Sequence, residues 1–274
     1  ANAKSMPMVK ANAYGHGMVK VAEALKDMAP AYGVACIEEA LELRQATIDQ
    51  PILLLEGSHS ADEVEIADQH GFWLMLENHH QLEAVVKAKL SNPVNIWIKF
   101  DTGMHRLGFQ PNEAQQVFQR LNNSPNVSKS MVLATHFSCA DNLDNDFTKQ
   151  QLNHFKTAFD SIDQPNLLKS LANSAAILDW PEVNDDWQRP GYMLYGNTPF
   201  ARNQPNADQL APVMHFQSAV ISIRTIATGE SVGYTANWTA QRPSTIATIA
   251  VGYGDGYPRH AKNGTPVLIR GVKC

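Results

Sequence analysis

The chain has little cysteine, no long apolar run and no surplus of positive charge, and each shortage removes a class of protein. Cys36, Cys139 and Cys274 are its three cysteines. They are too few and too scattered for a disulfide scaffold or a zinc site, so no metal and a reducing, cytoplasmic setting are expected. No stretch approaches the ~20 apolar residues of a membrane helix. A formal net charge of −5 leaves no electrostatic footprint for nucleic acid or an anionic membrane. The start lacks the layout of a signal peptide, and there is neither an internal repeat nor a low-complexity tract. What is present is ordinary globular composition, 44% hydrophobic and 18% charged, in 274 residues. That is enough for one large domain and a smaller one. Both ends are expected to be cut, since the first residues run straight into strand-like sequence and the last stop after a hairpin signal.

Short apolar runs alternate with amphipathic stretches. Strands are predicted at 6–10, 32–35, 52–55, 72–76, 94–100, 131–136, 167–172 and 192–195. Between them the apolar period is helical, as in Met18, Val21, Ala22 and Leu25. Eight near-continuous apolar strands separated by helices predict a parallel sheet covered by helices, a (β/α)8 TIM-type barrel over residues 1–199. A doubly wound open sheet is the rival, but no Gly-rich dinucleotide loop follows a strand. After Pro199 a polar connector leads into β-rich sequence with no helical period, predicting a partial all-β domain over 200–274.

A barrel of this kind carries its chemistry at the C-terminal ends of its strands. Lys10 closes the first strand in VKANAYGHG. Strand five leads into KFDTGMHRLG with Lys99 and Arg106, and strand six ends at His136. Strand seven gives ANSAA with Asn173 and Ser174, and RPGYMLYG brings Arg189, Gly191 and Tyr192. An isolated lysine at a strand end ordinarily snorkels into solvent. At a catalytic rim its amine is desolvated and can form a Schiff base with an aldehyde. A serine at a helix start beside a backbone-exposing glycine can hold a phosphate, although Ser is also a common cap with no ligand. Lysine and phosphate cradle together point to pyridoxal 5'-phosphate.

In this order the motifs resemble those of the bacterial alanine racemases, from one end of the chain to the other, with VKANAYGHG and DTGMHRLG the most specific and VGYT and GYGDGYPR following. The resemblance implies an enzyme that interconverts L- and D-alanine through two bases, supplying D-alanine for peptidoglycan. Lys10 would hold the cofactor and act on D-alanine; Tyr234 would act on L-alanine, contributed across a head-to-tail homodimer. Tyr14, Ser174, Gly191 and Tyr192 would touch the phosphate beside Asn173. Arg189 would face the pyridine nitrogen, with His136 bridging from it to Tyr234. Arg106 would meet the cofactor's phenolic oxygen and the substrate carboxylate, with Lys99 a candidate for carbamylation. Tyr253 and Arg259 would line the substrate entrance. The alternatives are a racemase of broader specificity for serine or another amino acid, a decarboxylase, an aldolase using the lysine alone, and a pyridoxal-phosphate carrier without turnover.

Overall fold

The computed structural model describes residues 3–164, 167–183 and 185–274, and these divide into two compact units, Ala1–Met214 and His215–Cys274. In the first unit the strands are β1 (Lys4–Ser5), β2 (Tyr32–Val34), β3 (Ile52–Leu54), β4 (Trp73–Leu76), β5 (Ile96–Lys99), β6 (Val132–Ala134), β7 (Leu168–Ser170) and β8 (Trp187–Gln188). The helices are α1 (Met18–Leu25), α2 (Ile37–Gln45), α3 (Ala61–His70), α4 (His79–Lys87), α5 (Ala114–Asn122), α6 (Phe147–Ser161) and α7 (Ser174–Asp179). Strands β2 to β7 pair in chain order and in parallel. β1 pairs in parallel with β8, and a bridge from Met8 to Gly33 joins that pair to β2. The remaining seam, β7 to β8, is closed by the Arg189 N–H donating to Ala172 O at 3.0 Å and Ser170 Oγ donating to Trp187 O at 2.9 Å. The result is a closed ring of eight parallel strands, each of the first seven followed by a helix.

Alternation along the strands sorts side chains into two cores, because successive residues face opposite sides of a sheet. Leu53, Met75, Trp97, Val132 and Trp187 fill the barrel, while Ile52, Leu54, Ile96 and Ile98 face the helices. Three tryptophans plug the interior: Trp73 stacks on Trp97 with centroids 6.4 Å apart and meets Trp187 edge-on at 5.6 Å. Side chains cap the helices where the strand-to-helix turns need them. Ser60 Oγ accepts the Glu63 N–H, and Asn78 Oδ1 accepts that of Gln81.

Two expected strands fall elsewhere. Lys10 does not end a strand. It opens a left-handed turn in which Ala11, Asn12, Ala13 and Tyr14 have φ between +52° and +54°. Residues 192–195 are a 3₁₀ turn rather than the eighth strand, which lies at Trp187–Gln188, so Arg189 follows that strand instead of preceding it. Four apolar residues between glycines carry no strand period. Tyr195 is the buried one, its Oη donating to Met8 O at 2.8 Å, while Met193 and Leu194 pack partly buried against the core.

The connector after Pro199 belongs to the first unit, where Phe200 and Ala207 are buried and Gln204 Nε2 donates to Asp179 Oδ1 at 2.9 Å. The second unit is all-β apart from short 3₁₀ turns. β9 (Val220–Ile226) pairs antiparallel with β12 (Ser244–Ile249). β10 (Ser231–Val232) pairs with β11 (Trp238–Thr239), and β13 (Leu268–Ile269) with β14 (Val272–Lys273).

Trp97 is 1% exposed and touches both other tryptophans of the plug. Trp97→Ala should therefore cost about 3–5 kcal/mol of unfolding free energy, read from urea denaturation. A loss below 1 kcal/mol would mean that the plug does not hold the barrel.

Candidate active site

A cavity of about 620 Å³ opens at the C-terminal ends of the strands, and Lys10, Tyr14, Lys99, Arg106, His136, Asn173, Ser174, Arg189, Gly191 and Tyr192 all line it. Ten of the thirteen residues expected from the sequence thus share one wall. The other three, Tyr234, Tyr253 and Arg259, lie in the second unit, where Tyr234 is 94% exposed.

Lys10 reaches the cavity because the chain behind it is held in a conformation that L-residues avoid. Several contacts fix the turn. Glu39, in the first turn of α2, accepts the Ala11 N–H at 2.6 Å and the Ala35 N–H at 2.8 Å. Asn12 Oδ1 accepts the Met18 N–H at 2.8 Å. Beneath it, Tyr195 is flanked by the rings of His16, at 4.4 Å, and Tyr14, at 5.0 Å. The Lys10 amine makes no hydrogen bond among the described residues. Burial first, then the Arg106 charge and, more weakly, Arg189 pull it below the usual lysine range, against the opposing pull of Glu56 and Glu39.

Arg106 is carried by a loop that folds back on β5. Phe109 N–H donates to Lys99 O, and Asp101 N–H donates to Phe109 O, each at 2.9 Å. Asp101 Oδ1 accepts the N–H groups of Gly103 and His105. Gly108, at φ +130°, sits where a Cβ would come within 2.5 Å of Asp101 N, so this return admits only glycine.

Arg189 is buried, and its guanidinium is almost spent on the barrel. Nη1 donates to Ser170 O at 2.8 Å and to Ser170 Oγ; Nη2 donates to Thr135 O at 2.6 Å and lies 3.4 Å from Leu171 O and from His136 Nδ1. Only Nε–H has no hydrogen bond among the described residues. Burial lowers the group to about 10, so it stays charged at neutral pH. His136 faces this cation through Nδ1, which places its ring proton on Nε2. Burial and then Arg189, Arg106, Lys99 and Lys10 hold the imidazole well below the usual histidine range, and therefore neutral.

The polar end of the cavity is built for an anion. Ser174 Oγ accepts the Gly191 N–H at 3.1 Å and the Met193 N–H at 3.2 Å, so its own proton is left to donate. A Cβ on Gly191 would lie 2.6 Å from Tyr14 Oη. The glycine thus brings backbone, the Tyr14 phenol and Ser174 together on one small volume. A phosphate at this end, an aldehyde at Lys10 and a ring between them fit these donors, and no group of His, Cys, Asp and Glu among the described residues could hold a metal ion.

Family comparison settles the assignment. The profile for the alanine racemase N-terminal domain matches residues 1–199, and that for the alanine racemase C-terminal domain matches 213–274. The chain belongs to the alanine racemase family.

It is 48% identical to an alanine racemase of Pseudomonas syringae, covering 98% of this chain and 74% of that one. It is 49% identical, over the same shares, to a catabolic alanine racemase of Pseudomonas aeruginosa. The crystal structure of a biosynthetic alanine racemase from Pseudomonas aeruginosa superposes with a TM-score of 0.93 at 45% identity, covering 99% of this chain and 75% of that one. The chain is a pyridoxal-phosphate-dependent alanine racemase, with a TIM-type barrel and a separate all-β domain. Relatives of catabolic and of biosynthetic name are about equally near, so likeness does not separate the two roles.

The sequence reading missed Glu39, Ser170, Tyr195 and Glu77. Glu39 and Ser170 lie in ordinary helix and strand text, and Tyr195 was assigned to a strand. Glu77 had one signal: a carboxylate closing the apolar run Trp73–Leu76, like Lys10 after Val9.

Because the site depresses Lys10, its acylation in the cofactor-free protein should become half-maximal below pH 10.5, the ordinary lysine value. Competitive labelling against pH, read by mass spectrometry, measures this. A midpoint at or above that value would show that burial and the arginines do not desolvate the amine.

Proposed function

We propose that Lys10 and Tyr234 are the two bases of the racemisation, one on each face of the substrate's α-carbon. Supporting this is Lys10 itself: an uncommitted amine, half-buried and depressed, at the mouth of a cavity whose far end collects phosphate donors. When bound, pyridoxal phosphate supplies a conjugated ring that draws electrons from the α-carbon. The remaining work falls to the protein.

Ser174 Oγ–H, Tyr14 Oη–H, the Gly191 backbone and Tyr192 hold the phosphate, with Asn173 fixing the turn through its Oδ1 on the Ala176 N–H at 3.1 Å. Arg106 meets the substrate carboxylate and the cofactor's phenolic oxygen. Arg189 offers its free Nε–H to the ring nitrogen. An arginine does not give that proton up, so Arg189 would leave the ring nitrogen unprotonated and the ring a weaker electron sink. Such a partner would favour return of a proton to the α-carbon by Lys10 or Tyr234, and hence racemisation over transamination. Two fixed bases need no movement of the substrate. A phenol needs a cationic neighbourhood to act as a base; the Arg189–His136 pair would supply it for Tyr234. Tyr234 would come from the partner in a head-to-tail homodimer, with Tyr253 and Arg259 at the entrance. The setting would be the cytoplasm, and the product would serve peptidoglycan synthesis.

The test is α-proton exchange in deuterated buffer, run separately from each enantiomer. Tyr234→Phe should lower exchange from L-alanine by about 10²–10⁴-fold while leaving that from D-alanine largely intact, and Lys10→Ala should abolish both. Equal loss from both enantiomers in Tyr234→Phe would remove the tyrosine as a face-specific base. Assays with serine and lysine alongside alanine define the substrate range.

A further inference from the structure

Arg106 lines the cavity from an exposed position, and its guanidinium makes no hydrogen bond among the described residues. Its aim therefore comes from the backbone of the loop that carries it. The buried end of that loop is Thr102, and behind Thr102 stands Gln151, in the second turn of α6 and wholly buried. Gln151 uses both ends of its amide. Nε2 donates to Thr102 Oγ1 at 3.3 Å and to His136 O at 3.0 Å. Oε1 accepts the Ser138 N–H at 3.0 Å and the Ser138 hydroxyl at 3.2 Å. The His136 carbonyl can only accept and the Ser138 N–H can only donate, which fixes the way the amide faces.

The hydroxyls beside it are ordered in one direction. Thr135 Oγ1 gives its single proton to Phe100 O at 2.9 Å, so in the 2.8 Å contact between the two threonine hydroxyls Thr102 is the donor. The oxygen of Thr102 is thereby left to accept from Gln151. The chain of bonds ends just past β5, which is itself anchored where Lys99 Nζ donates to Glu77 Oε1 at 2.6 Å. His154, three residues further along α6, donates Nδ1–H to Thr102 O at 3.0 Å. We infer that Gln151 is a positioning residue for racemisation, its one amide holding the Arg106 loop against the backbone of His136 and so setting the distance between that arginine and the imidazole. The inference rests on the role given to Arg106 above, as the group that meets the substrate carboxylate. The chemistry of the side chain suits the task. An amide satisfies a hydroxyl, a carbonyl and an N–H together without placing a charge behind the cationic wall of the site. Were the loop and the end of β6 to part, buried donors and acceptors on both would be left unpaired.

The test uses cofactor-loaded protein and two readouts. Gln151→Met keeps the volume and removes the donors and the acceptor. It should raise KM for both enantiomers of alanine by about ten- to a hundredfold, with a smaller fall in kcat. In an Arg106→Lys background it should add little, because it acts through that arginine. Hydrogen–deuterium exchange, read by mass spectrometry, should quicken in peptides spanning 101–109 and 136–140 and stay unchanged in α3. Thr102→Val cuts the loop's link to Gln151 and leaves the bonds to His136 and Ser138. It should raise KM in the same sense but less, and serves if the methionine variant does not fold. An unchanged KM beside a lowered kcat, full additivity with Arg106→Lys, or exchange no faster over 101–109 would each overturn the inference. An Arg106→Lys variant with unaltered KM would instead remove the carboxylate role of Arg106, and the exchange comparison would still decide whether Gln151 holds the loop.

Discussion

The guanidinium of Arg189 is the interaction on which both the barrel and its site depend. Its hydrogen bonds reach the ends of β6 and β7 from the end of β8. They do so at the seam between β7 and β8, where side chains of Arg189 and Ser170 supplement the backbone hydrogen bond from Arg189 to Ala172. A buried cation is costly unless its donors are met, and here three carbonyls at the strand ends and the Ser170 hydroxyl meet four of the five. That leaves one N–H for the cavity and a fixed positive charge against His136. The group that closes the ring of strands is also the one that sets the charge of the site.

The same economy appears around Lys10. Four consecutive non-glycine residues at positive φ are unfavourable by themselves. They persist because Glu39, Asn12 and Tyr195 over-determine the turn, and those contacts reach α2, α1 and the chain after β8. Strain at the functional lysine is thus held by the barrel's own packing.

Much of the fold was legible. Strands β2 to β7 lie within the predicted runs, and β2, β3, β5 and β6 are buried throughout and so read as near-continuous apolar text. β8 was not legible: two residues in NDDWQRP have neither length nor period, and what makes Trp187–Gln188 a strand is Trp187 entering the tryptophan plug. The left-handed turn was hidden too, since Ala-Asn-Ala-Tyr announces no positive φ and only tertiary contacts enforce it. For the site, the residues that line the cavity were legible through motif order. Those that hold them (Glu39, Ser170, Tyr195, Glu77) were not, because their roles lie in contacts between distant segments.

The central claim is that the desolvated amine of Lys10 is the group that joins to the cofactor's aldehyde. Borohydride reduction of the cofactor-loaded protein, followed by peptide mass spectrometry, tests it directly. The account predicts a stable pyridoxyl adduct on the peptide containing Lys10, absent from Lys10→Arg. An adduct on Lys99 or another lysine, or none at all in protein that has bound the cofactor, would contradict it.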